Sequence, residues 1–203
     1  MSTENKAQEV LQFWFGILQD PVDIPYDKSS MWFVNGKEYD DAIREQFGGL
    51  HQQATEGELD HWQQDSKSLL ALIILLDQFS RHIYRETAQA FAQDSKCIQI
   101  VQSGIDASLD QSLFFIERQF FYMPLMHAED VEIQNLSVSI FTKLRDEAPE
   151  ELKNFYTKIL SFAKSHQYVI EKFGRFPELN KILSRTNTRE EEEFLSTGKY
   201  RFL

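Results

Sequence analysis

From Pro25 to Pro124 the chain contains no proline, and it holds only eight glycines and five prolines among 203 residues. Proline interrupts helices and glycine weakens them, so a stretch this poor in both favours long helices. Apolar residues recur at helical spacing through most of the chain, and no segment alternates at period two for long enough to make a strand. The expected fold class is all-α, with eight to ten helices. Short connections make consecutive helices antiparallel hairpins. No repeat at a fixed period is visible, so the pattern fits a compact helical array and an irregular bundle equally well.

The first helix is expected from about Thr3 to Leu18, with Val10, Leu11, Trp14, Phe15 and Leu18 inward. Asp20 to Asp27 holds two prolines and reads as an extended connection. A second helix covers Lys37 to Thr55, with Tyr39, Ile43 and Phe47 facing in and Gly48-Gly49 weakening its middle. Asp65 is the expected N-cap of a third helix, Ser66 to Tyr84, whose first half is apolar all round and belongs at the centre. Asp94 is expected to cap a fourth helix with Cys97, Ile98, Val101 and Ile105 inward. A fifth, Ser112 to Met123, stops near Pro124. A sixth begins near Ala128 and carries Ile133, Leu136, Ile140, Phe141 and Leu144. The seventh, Leu152 to Phe173, is the most regular and meets Gly174 at its C′ position. A short helix from Glu178 to Leu183 follows, and T-R-E-E at Thr188 to Glu191 is a capping box opening a last helix through Leu195.

Hydrophobic residues make up 42% of the chain and aromatics 13%, enough for one domain over residues 1–203 with a core that needs no disulfide. The net charge of −11 works against nucleic acid and anionic membrane surfaces. A single Cys97 excludes an internal disulfide and multi-cysteine zinc sites, and fits the cytosol. The polar start is unlike a signal peptide, and the longest apolar run, Leu69 to Leu76, is far short of the ~20 residues that cross a bilayer. No strong catalytic or cofactor-binding signature (Walker loop, G-x-G-x-x-G, H-E-x-x-H or G-x-S-x-G) is present. On this reading no cofactor and no bound metal are expected.

Four polar islands interrupt the apolar pattern. In the first, Asp77, Gln78, Arg81 and Arg85 follow the apolar run, with Asp77, Arg81 and Arg85 at i, i+4, i+8 on one helix face. They form either a solvent-end ion ladder or an arginine fork oriented for a carboxylate or phosphate. In the second, His127, Glu129, Asp130 and Gln134 mark the start of a helix, where they cap it, offset its dipole, or supply proton-transfer or metal chemistry. The third is His166 on an apolar stripe. The fourth is F-G-R-F-P-E-L-N, with Arg175 and Asn180 as its polar donors.

Taken in order, L-D-Q-F-S-R-H-I-Y-R, P-L-M-H-A-E-D-x-x-x-Q, H-x-x-x-I-x-x-F-G-R-F-P-x-x-N-x-x-L and T-x-x-E-x-x-F-L resemble the bacterial "domain of unknown function 924" family. The opening V-L-x-F-W-F-G and the segment G-E-L-D-H-W fit it as well. The resemblance implies a right-handed, tetratricopeptide-like array of antiparallel helix pairs, and it implies no activity. The family motif maps onto Asp77, Gln78, Arg81, Tyr84, Arg85, His127, Glu129, Asp130, Gln134, His166, Gly174, Arg175, Pro177 and Asn180. Departures are His82 where Asn is usual, Ala128 for Ser, Ser184 for Gly, and Glu178-Leu179 for His-Arg, the last exchanging two basic groups for an acid.

Three functions compete on these residues. The first is a pocket for a small anionic ligand or acidic peptide end, with Arg81, Arg85 and Arg175 binding charge and Gln78, Gln134 and Asn180 orienting. The second is a protein-interaction scaffold. The third is a hydrolase with His127 or His166 as general base and Glu129 or Asp130 orienting it or holding a metal. The oligomeric state is not legible. The geometric expectation is that the islands meet: Arg81 pairs with Asp77, Glu129 or Asp130, and His127, His166 and Arg175 border one cavity.

Overall fold

The computed structural model describes residues 3–198, and every regular element among them is helical. No helix among the described residues is long and apolar enough to cross a membrane. The chain divides into two compact units, one running to Arg85 and from Gln89 to Pro124, the other comprising Glu86–Ala88 and the chain from Leu125 onward.

Unit one is organised around α4 (Ser66–Ile73), which passes without a break into a π-helical stretch (Ile74–Phe79) and then the short α5 (Ser80–Ile83). Asp65 caps this assembly as expected, accepting from the backbone N–H groups of Lys67 and Ser68. Leu69 to Leu76 are all within 1% of full burial. Burying each such leucine or isoleucine is worth about 1.5–3 kcal/mol before entropy is counted. Helices α1 (Thr3–Phe15) and α3 (Asp40–Thr55) pack against this centre. From α1, Trp14 meets Phe79 edge-on at 5.7 Å, and Phe47 from α3 lies 4.9 Å from the same ring. Gly48 and Gly49 lie inside α3 without interrupting it.

On α6 (Asp94–Asp106) the buried stripe is Cys97, Ile100, Val101 and Gly104, turned slightly from the expected one; Ile98 and Ile105 are half-buried. A methyl group on Gly104 would come within 2.7 Å of both Leu69 and Phe121, so the close approach of α6 requires glycine there. The N-cap of α6 is Gln93, not Asp94, whose carboxylate is engaged by Arg81. Between Asp20 and Asp27 the chain turns, and the sequence reading missed the short α2 (Ser29–Phe33) that follows. Helix α7 (Phe115–Met126) runs through Pro124 instead of stopping there. A proline this close to a C-terminus removes one backbone donor without breaking the helix.

Unit two is built on α8 (Val131–Glu147) and α9 (Glu150–Phe173), joined by only Ala148 and Pro149 and packed along their length as an antiparallel hairpin. The regular stripe of α9 is inward as expected, from Leu152 through Tyr156, Ile159, Ala163 and His166 to Ile170. Gly174 takes φ 70° and ends the helix with its N–H on the Ile170 carbonyl. On α8 the buried residues are Gln134, Ser137, Phe141 and Leu144, whereas Ile133, Leu136 and Ile140 are half-buried. A single 3₁₀ turn, Pro177–Leu179, replaces the helix expected from Glu178 to Leu183. The last helix, α10 (Arg189–Ser196), opens with the Thr188/Glu191 capping box.

Candidate functional site

The site residues of the first island belong to unit one and those of the other three to unit two.

In unit one the π-helical turn places Asp77 and Gln78 side by side in the core, with Asp77 1% exposed. The Gln78 amide donates to Asp77 and lies 3.4 Å from the Met123 sulfur. Arg81 Nη1 is 3.0 Å from Asp77 Oδ1, so the expected pairing with Asp77 is present. The same guanidinium fork reaches both oxygens of Asp94, at 3.1 and 3.2 Å. Burial opposes the charge on Arg81, but Asp77 and Asp94 outweigh it and hold the guanidinium firmly protonated. Cys97 borders this group; burial and the two carboxylates push its thiol far up, which makes it a poor nucleophile. Three carbonyls around the π turn receive side-chain donors: Ile73 from Cys97, Leu76 from Ser80, and Asp77 from Arg81. Such widened turns recur at functional sites. Here the polar groups close on one another.

Arg85 departs from the expected shared face. Tyr84 leaves helical geometry, so Arg85 lies past the end of the helix and binds Asp40 through Nε at 2.5 Å and Nη2 at 2.7 Å. His82 Nδ1 donates to the same carboxylate at 2.8 Å. Burial raises the cost of the Asp40 charge, yet the Arg85 and His82 hydrogen bonds hold the carboxyl below its ordinary range. Asp40 was not singled out in the sequence, where a lone acid at a helix start carries no distinguishing signal.

In unit two the islands at His127 and His166 come together. The imidazoles lie 6.5 Å apart, and His166 meets the Phe176 ring edge-on at 5.7 Å. Burial and the neighbouring His127 push His166 down to about 4, so it is neutral at physiological pH, with Nδ1 donating to the Phe162 carbonyl at 2.8 Å. Glu129 accepts the Phe176 N–H at 2.7 Å and a two-pronged contact from Arg185 at 2.6 and 2.9 Å. It thereby ties the start of α8 to the loop after α9. Asp130 is the N-cap of α8, accepting from Ile133 N–H, so the first-turn position expected for it moves one step out. Gln134 is fully buried and its Nε2 donates to the Met126 and Ala128 carbonyls. These bonds explain why a polar residue displaces Ile133 from the core.

Arg175 binds both oxygens of Glu191, at 2.7 and 2.8 Å, and Asn180 donates to Asn187 and Glu191. The Arg175 hydrogen bonds, with help from the Thr188 N–H, bring Glu191 down to about 2. The Arg175 fork therefore stitches the F-G-R-F-P loop to α10.

One residue that was noted only as a departure from the family pattern stands apart. Both oxygens of Glu178 are shielded from water and have no hydrogen-bond partner in any other residue. Burial raises its carboxyl to about 7; the residue's own backbone N–H and the charge of Arg185 oppose the rise, and the nearby charge of Glu129 reinforces it. Other buried atoms of unit two without a partner include Asn180 Oδ1, Gln134 Oε1, Ser137 Oγ and Arg185 Nε. Among the described residues no group of three or more His, Cys, Asp or Glu side chains is arranged to hold a metal ion.

Comparison with known proteins adds a lineage. The model of a bacterial family described as "protein of unknown function (DUF924)" matches residues 10–199. A solved structure of a protein of unknown function from Agrobacterium tumefaciens is similar, at 31% identity over 97% of this chain and 99% of that one, with a TM-score of 0.81. No curated protein matches.

Proposed function

Because the chain belongs to the bacterial DUF924 family, whose function is unknown, membership brings no activity with it; from the site itself we propose that the protein binds a small polar ligand on unit two, beside His127, Glu129, His166 and Glu178. The observation that carries this reading is Glu178. A carboxyl out of water with no partner in any other residue is costly, and strongly displaced groups of this kind concentrate where proteins bind or react.

The number of arginines in the motif suggests an anion or an acidic peptide end. Each of them is already matched, however: Arg81 by Asp77 and Asp94, Arg85 by Asp40, Arg175 by Glu191 and Arg185 by Glu129. An anion would have to displace a carboxylate. The unmet groups of unit two are mostly acceptors, namely the Glu178 oxygens, Asn180 Oδ1 and Gln134 Oε1, against the single donor Arg185 Nε and the Ser137 hydroxyl, which can do either. The ligand we propose therefore carries N–H donors, as an amine or a guanidinium does. Asp77, Gln78, Arg81 and Arg85 act in this reading as a structural network, and Asp130 and Gln134 as helix-end clamps.

Calorimetry with a primary alkylamine, guanidinium, acetate and inorganic phosphate as probes tests it. The amine or guanidinium should bind with release of a proton, because Glu178 must ionise to meet it, and should bind more tightly as pH rises from 6 to 8. Glu178→Ala should abolish the signal. Binding of acetate or phosphate with no response to the amine and guanidinium would return the site to anion recognition, and silence toward all four would reject it.

The scaffold reading draws on a different observation, the closely packed antiparallel α8–α9 pair. Such pairs are the building unit of a tetratricopeptide-like array, which we retain as the proposed architecture.

A further inference from the structure

Unit two also carries a groove of about 620 Å³ between α9 and α10, away from the residues discussed above. Its α9 wall follows one helical stripe from Ser161 through Lys164 and Tyr168 to Lys172, and its α10 wall another from Glu190 through Glu193 to Thr197. The floor includes Val169 and Phe194. Tyr168 is 56% exposed, and with Phe162, 46% exposed, it is one of two large aromatics that α9 leaves in solvent.

The charges are sorted by wall. The α9 wall bears only cations, Lys164 and Lys172, and the α10 wall only anions, Glu190 and Glu193. Among the described residues Lys172 meets Glu190 at 3.3 Å, and Glu193 is held by Arg189, on an exposed face at 3.1 Å. Among the described residues Lys164 has no ion-pair partner. An acidic helix laid in this groove would meet repulsion from α10, and a basic one from α9. A surface carrying both signs on parallel walls complements a surface with the same arrangement turned by half a revolution, which is the relation between two copies in an isologous dimer.

We infer that the α9–α10 groove is one half of a two-fold interface, and that its occupant is a second copy of this chain. The cationic α9 wall of one copy faces the anionic α10 wall of the other, and the axis brings the two Tyr168 rings together over Val169 and Phe194. Lys164 then meets Glu193 of the second copy, and symmetry supplies the reciprocal contact. Exposed ion pairs contribute little affinity, so they set register while the accessible rings of Tyr168 and Phe194 supply the attraction.

Light scattering on the eluting protein tests this. The wild type should move from 23.9 kDa toward twice that mass as its concentration rises to about 100 μM, where even a small, transient interface is populated. Lys164→Glu and Glu193→Lys should each remain monomeric at that concentration. An equimolar mixture of the two should regain the double mass, because every cross-copy contact in the mixed dimer pairs opposite charges. Tyr168→Glu should be monomeric both alone and in either mixture. Both charged positions are on exposed helix faces, and unchanged circular dichroism should confirm folding. A wild type that stays monomeric throughout, charge variants that dimerise like the wild type, or a mixture that stays monomeric would each overturn the inference.

Discussion

Replacing Glu178 by Gln keeps the shape of the side chain and removes its ability to ionise. A carboxyl carried from its ordinary 4.5 to about 7 corresponds to about 3 kcal/mol of disfavoured ionisation at 1.36 kcal/mol per pH unit. Glu178 is only half-buried, and solvent screening reduces this to about 1–2 kcal/mol. Between pH 4.5 and 7 the folded chain keeps a proton on Glu178 that the unfolded chain has released. Stability therefore falls as pH rises through that window, and the loss is complete above it. In the glutamine variant this part of the slope is absent. Urea denaturation at pH 4, 6 and 8 should show the two proteins nearly equal at pH 4. At pH 8 the variant should be more stable by about 1–2 kcal/mol, a rise in melting temperature of about 2–8 °C for a chain of this size. A stability difference that does not change with pH, or one that favours wild type as pH rises, would refute the assignment of Glu178 as an acid whose carboxyl is desolvated on folding.

Arg81→Ala should lower stability by about 3–5 kcal/mol, since it leaves the buried Asp77 charge without its cation; a denaturation midpoint within error of wild type would contradict the network. Gly104→Ala forces a methyl group to within 2.7 Å of Leu69 and Phe121 and should cost about 1–3 kcal/mol, read in the same assay. His166 should stay neutral far below the ordinary imidazole range, so its NMR shifts should hold constant through pH 6; its contribution to stability is complete above 6.5 and is lost as pH falls from 6.5 toward 4. Asp130→Ala should cost about 1 kcal/mol through loss of the α8 cap.

Some of this was written locally. Asp65, Thr188 and Gly174 do their work within three or four residues of themselves, so the N-cap, the capping box and the left-handed helix end could be read along the chain. The α9 stripe was legible for the same reason: one helix repeats its own periodicity. The Arg81–Asp77 pair was legible because i and i+4 are neighbours on any helix, including one widened by a π turn.

What the sequence left open depends on partners many positions away. Arg85 and Asp40 are separated by forty-five residues, Arg185 and Glu129 by fifty-six, and spacing along one helix says nothing about either. Asp94 looks like a cap and acts as a counter-ion, because a carboxylate at a helix start takes whichever donor the fold presents. Glu178 could be seen to depart from the family pattern, but its displaced acidity arises only when the turn that carries it is buried beside Glu129. Helix formation follows from interactions within a turn or two, so the order of residues alone is enough to specify most of it. Charge pairing and desolvation depend on distances between groups remote in the chain, and only the tertiary structure sets those distances.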